Sequence, residues 1–408
     1  MGFNPFDEKG MPIDKQIQSW KVLNVKPYDK YEVDPYTRCR VITMNGVEVE
    51  AALFGHQFAR HTADIELKRQ LALVRRAEQQ QQKMVNWLIP GQESTIEVTI
   101  GYEQVAVDLT AWVCQNEPDP YAKQVYEFGL LEDFDHLYRY ANLLDMMEGR
   151  KAADIVGRAT EITPGRPTAI EHRHPHDDIR KSLDRNSAQF ISLMNALTVT
   201  AAEQQTLNFY MNVGNRPTDP VARGLYLEIA QIEEQHVTQY ESLNDPTASW
   251  AEMLVLHEYN ECYLYHSFML DEPDPRIRQM WENHLAMEVT HLQMANDLLK
   301  KLDGKDARDM FPKEMPTPVK FQSNKAFIRS VLDTQAKLTA DGTEFKPFDQ
   351  MPADYPTFQY QQAVNGNQPP PSEQIIQRHI EDKGTEYRLE TEGPHPVPEW
   401  RPSQAAAE

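Results

Sequence analysis

Two Glu-x-x-His pairs, Glu233/His236 and Glu288/His291, sit where core residues should be. Each interrupts a stripe of apolar and aromatic residues spaced three and four apart, the seam of a helical bundle. One stripe is Tyr226, Ile229, Glu233, His236, Tyr240, Leu243; the other is Trp281, His284, Glu288, His291, Ala295, Leu298. Two further stripes carry Glu203 and the pair Glu258/Glu261 in the same way. An unpaired buried carboxylate costs several kcal/mol, and several facing one another also repel. Two divalent cations would neutralise four glutamates. Positions i and i+3 share a helix face, so Glu-x-x-His offers one oxygen and one nitrogen to a single metal.

Four helices must present these groups. The spacing predicts them over about 187–212, 221–243, 249–271 and 276–301, broken by NRPTDP, NDPTAS and DEPDP. At ~1.5 Å rise per residue, antiparallel neighbours bring the four acids to within about one turn of the same height. Upstream, three helical stretches occupy 56–148, with Asp133 and His136 in the third. Residues 1–55 are expected to be irregular, with a hairpin at Asn45-Gly46 between β-branched runs. Residues 149–186, with Pro164-Gly165 and the run EHRHPHDD, form a connector. Residues 304–408 are expected to be an extended arm that wraps a neighbour or stays mobile, because 310–408 hold 13 of the 28 prolines.

The two halves are related. NEPDP at 116–120 returns as DEPDP at 271–275, an offset of 155. In that register Glu78 meets Glu233, Glu103 meets Glu258, Asp133 meets Glu288 and His136 meets His291. A duplicated helical unit follows. Gln81 stands in place of His236 and Ala106 in place of Glu261, so the first copy (56–148) is expected to be a decayed site kept for packing. Glu48 would pair with Glu203, but it falls in the expected hairpin and is set aside.

One Glu from each of two helices, with Glu-x-x-His from each of two others, resembles the ferritin-like dimetal-carboxylate superfamily of rubrerythrins, bacterioferritins and diiron oxygenases. The resemblance implies an all-α fold of tandem antiparallel bundles, with the working site in 187–303. It also implies that Glu203, Glu233, His236, Glu258, Glu288 and His291 bind two iron ions (or manganese), with Glu233 and Glu288 bridging. Glu261 resembles the extra glutamate of rubrerythrins, a further ligand, and stands beside the site as the candidate catalytic proton relay. There are departures. The three cysteines include no Cys-x-x-Cys for a rubredoxin-type iron. The short connector between His236 and Glu258 implies up-down-up-down order. The alternative is that 149–186 is the crossover and helices from both halves share one bundle.

The expected function is a dinuclear oxidoreductase acting on O2 or H2O2 with an unassigned reductant. The alternatives are a ferroxidase or a subunit that metals only staple together. A formal charge of −21 argues against nucleic acid and anionic membranes as partners. With no long apolar run and three free thiols, a cytoplasmic location is expected, and the arm suggests a homo-oligomer. Among the remaining groups, His172, His174 and His176 are expected in a solvated loop, Tyr210 and Tyr240 as core tyrosines, and Cys262 as a buried small residue.

Overall fold

The computed structural model describes residues 2–401. Eight long helices carry the fold: α1 (Pro35–Arg60), α2 (Ile65–Asn86), α3 (Thr95–Asn116), α4 (Pro120–Glu148), α5 (Phe190–Val213), α6 (Pro220–Glu241), α7 (Trp250–Asp271) and α8 (Pro275–Asp303). The duplication is visible in their bounds: α2, α3 and α4 return as α6, α7 and α8, every start and end displaced by 155. Their termini repeat too. Asp64 and Asp219 cap α2 and α6. Ser94 with Glu97, and Ser249 with Glu252, form capping boxes on α3 and α7. Gly149 and Gly304 end α4 and α8 in the left-handed conformation.

The chain forms two compact units, and neither is one sequence half. The first comprises Met1–Gln92, Leu183–Ala202 and Asn244–Lys320; the second comprises Glu93–Ser182, Glu203–Leu243 and Phe321–Glu408. The first unit therefore packs the α1–α2 hairpin with the α7–α8 hairpin. The second packs α3–α4 with α6 and the part of α5 from Glu203 onward. This corrects the expected division into bundles at 56–148 and 187–303. The crossover alternative describes the observed arrangement.

The expected hairpin at Asn45-Gly46 is instead the middle of α1. Asp34 caps that helix by accepting from the Tyr36 and Thr37 amides, and Pro35 opens it. Val41, Ile42, Thr43 and Val47 are buried along it. Burial in a bundle outweighs the strand preference of β-branched residues.

The proline-rich tail is not an extended arm either. It holds α9 (Lys325–Gln335), the hairpin β1 (Leu338–Asp341) and β2 (Glu344–Pro347), α10 (Pro356–Asn365) and α11 (Pro371–Lys383). The strands are antiparallel, with Leu338 opposite Pro347 and Asp341 opposite Glu344. The tail packs on its own unit: Arg378 pairs with Asp219 at the start of α6 at 2.8 Å, and Arg139 of α4 donates to the Ser372 carbonyl at 2.8 Å. Here the prolines mark helix starts, at Pro356 and Pro371. Among the described residues no helix is long and apolar enough to cross a membrane.

Candidate metal centres

Each unit gathers acids and imidazole in the middle of its bundle. In the second unit they are Glu103 (α3), Asp133 and His136 (α4), Glu203 (α5), and Glu233 and His236 (α6), none more than 1 % exposed. They form two ligand clusters, Asp133/Glu203/Glu233/His236 and Glu103/His136/Glu233, with Glu233 common to both. His236 Nδ1 lies 3.5 Å from Asp133, 3.6 Å from Glu203 and 3.5 Å from Glu233. These separations are long for hydrogen bonds. They suit donors around one ion, where bonds of ~2.1 Å leave ligand atoms ~3–4 Å apart.

Both imidazoles are oriented from behind. His236 Nε2 lies 2.7 Å from Glu132, and His136 Nε2 lies 3.0 Å from Glu171. Carboxylates accept, so each Nε2 donates to its backing acid; His136 Nδ1 in turn lies 3.1 Å from Glu233, and with an ion bound each Nδ1 would be the atom free to ligate. Glu132 is held by Arg166 at 2.7 Å and by Arg173. Despite burial, these arginines and His236 keep the Glu132 carboxyl well below its usual range. Three of these groups, Arg166, Glu171 and Arg173, come from the connector expected to be a solvated loop. Of its histidines, His172 is buried, His174 is half-buried and only His176 is exposed.

In the first unit the groups are Glu48 (α1), Glu78 and Gln81 (α2), Glu258 and Glu261 (α7), and Glu288 and His291 (α8), all at most 3 % exposed. The clusters are Glu78/Glu258/His291 and Glu48/Glu261/Glu288. His291 Nδ1 is 3.0 Å from Glu288, and its Nε2 is 2.7 Å from Gln16, which takes the backing role that carboxylates play in the second unit. Gln81, in the place of a second imidazole, donates to Glu288. Tyr265 donates to Glu48.

The sequence-predicted ligands are thus divided. Glu203, Glu233 and His236 belong to the second unit; Glu258, Glu261, Glu288 and His291 belong to the first. Each set is completed by the copy expected to have decayed: Glu103, Asp133 and His136 in one, Glu78 in the other. Glu48 was missed because its segment resembled a hairpin, although the 155-residue register pointed to it. Glu132, Glu171, Arg166 and Arg173 show no periodic signal, since a connector has no face to be out of place on. Cys262 is buried beside Glu261, as expected of a small core residue.

Several of these acids lack partners. Both oxygens of Asp133, Glu203 and Glu261 find no hydrogen-bond partner among the described residues, nor does one oxygen each of Glu48, Glu78, Glu103, Glu233 and Glu258. Burial, reinforced by the charge of Glu233, pushes the Glu203 carboxyl up to about 8. Burial pushes Glu78 up to about 7, and burial with neighbouring carboxylates raises Glu258 and Glu261 well above their usual range. Orphaned acids that resist ionisation alone become stable when divalent ions bind between them. No protein-family model, curated protein or solved structure matches this chain.

Proposed function

We propose that each unit holds a dinuclear iron or manganese centre, and that the protein is an oxidoreductase acting on O2 or H2O2. The observation that carries this reading is the set of buried carboxylate oxygens without partners, converging with imidazole Nδ1 atoms in both bundles. Glu203, Glu233, His236, Glu103, Asp133 and His136 would hold one pair of ions, and Glu233, common to both clusters, would bridge. Glu48, Glu78, Glu258, Glu261, Glu288 and His291 would hold the other. Such a pair, when bound, exchanges two electrons with O2 or peroxide.

The chain's own contribution is positioning and proton handling. Glu132 and Glu171 fix the imidazole tautomers. The apolar seams exclude bulk water, which strengthens every charge interaction inside. Glu261, with both oxygens unpartnered and its carboxyl raised by burial, is suited to hold a proton beside the first unit's centre. Three buried free thiols fit a reducing compartment, which supports the reading of a cytoplasmic protein. Metal analysis of protein produced with iron and manganese available tests the reading: about four ions per chain are expected. Anaerobic reduction followed by O2 or H2O2, watched in the near ultraviolet, then separates turnover from ions that only staple the bundles. Full metal content without any oxidation response would leave the stapling role alone.

A further inference from the structure

The two centres differ sharply at one equivalent place. Beside Glu103 and His136 of the second unit, Tyr140, Tyr210 and Tyr226 pack with ring centroids 5.0–5.5 Å apart. The Tyr210 hydroxyl donates to Glu103, and the Tyr226 hydroxyl lies 2.7 Å from that of Thr99. All three rings are at most 1 % exposed in Tyr210 and fully buried in the other two. They fill the space next to that cluster.

Displaced by 155, the same three positions in the first unit are Ala295, Gly55 and Leu71. Those residues line a cavity with about 20 Å³ of room for water-sized centres, and its inner wall is the cluster Glu78, Glu258 and His291. A single water-sized molecule needs roughly 10–15 Å³ by that measure. The cavity runs outward past half-buried Gln70, Arg75 and Met294. Arg75 is tied back at its mouth by donating to the Gly55 carbonyl at 3.0 Å. The remaining walls, among them Phe54, Val74 and Leu254, are apolar except for His257, whose Nε2 lies 2.8 Å from Glu50.

The charge sets differ in the same direction. The first unit has five acids and one imidazole in its clusters, and the second has four acids and two imidazoles. Additional carboxylate favours the higher metal oxidation state, so the first unit's centre is the one tuned to react with an oxidant.

We infer that the first unit's centre is the one open to substrate, that its substrate is a neutral molecule of two or three heavy atoms entering between Gly55 and Ala295, and that tyrosines seal the second unit's centre. This inference rests on the proposal that both units bind dinuclear metal.

The test uses nitric oxide, a neutral diatomic, on the full-length, anaerobically iron-loaded protein, with bound NO counted by electron paramagnetic resonance and iron measured on the same samples. NO should bind at one centre of the wild type. Ala295→Phe should abolish that binding with iron content unchanged. Tyr140→Ala, which opens the second unit, should add a second NO-binding centre, and it keeps the inference testable if Ala295→Phe fails to fold. NO at both centres of the wild type, or binding unaffected by Tyr140→Ala in iron-replete protein, would overturn the access assignment. A wild type that takes up no iron would instead overturn the metal reading itself.

Discussion

Glu233→Ala and Glu288→Ala distinguish the two ways in which these ligands could be assembled. Were Glu203, Glu233, His236, Glu258, Glu288 and His291 one centre, both substitutions would empty the same site, and combining them would cost nothing further. The structure places them in different units. Glu233 belongs to both clusters of its unit, so its loss leaves Glu103 and His136 on one side and Asp133, Glu203 and His236 on the other. The acids then supply −3 against +4. Removing one member of a buried charge set costs ~3–5 kcal/mol, or about two to three and a half decades in affinity. Metal content should fall from about four ions per chain to about two in Glu233→Ala, to about three in Glu288→Ala, which touches one cluster only, and to about one in the double variant. Glu103→Ala touches one cluster only and should leave about three. The assay is elemental analysis after desalting, with far-ultraviolet circular dichroism confirming that the helices persist. If the double variant keeps as much metal as either single one, the division of ligands between units is wrong.

Other expectations follow from the surroundings. Glu132→Gln removes the group that orients His236 and leaves Arg166 and Arg173 without their carboxylate; metal affinity in the second unit should drop ~10–100-fold, measurable by chelator competition, with the first unit unaffected. Gly165→Ala should destabilise the second unit by ~3 kcal/mol or more, seen as a lower unfolding midpoint, because a Cβ there would lie 2.0 Å from the Leu131 carbonyl and 2.8 Å from the Asp135 amide, backbone atoms of α4 that cannot swing aside. Arg378 holds the Asp219 carboxyl down at about 2, against 3.8 unperturbed. A depressed carboxylate stabilises above its unfolded pKa, and that stability is lost as pH falls from near 4 through 2. Because Arg378 is partly exposed, the contribution is ~1 kcal/mol after solvent screening. Arg378→Ala should flatten the acid limb of a stability profile in that window.

The seams around Glu233, Glu258 and Glu288 were legible because a charge on a 3.6-residue apolar stripe violates the rule the stripe obeys. Tyr210 shows the limit of that signal. It reads as an ordinary core residue, and only the structure reveals that its hydroxyl donates to Glu103 of the buried acid cluster. The second set of ligands was half legible. Asp133 and His136 stood in register, but reading their copy as decayed assumed that each copy packs with itself.

Local chain chemistry determined seven of the eight long helices, their caps and the residues that must face inward, since each of these depends on neighbours within a turn or two; α1 needed burial in its bundle. Which hairpin joins which was a tertiary decision. Duplication gives α1–α2 and its copy α5–α6 equivalent seams, so apolar pattern favours neither partner for α7–α8. The choice falls to contacts between segments far apart along the chain, which no local pattern carries. That choice gathers into two separate sets residues that read along the chain as one.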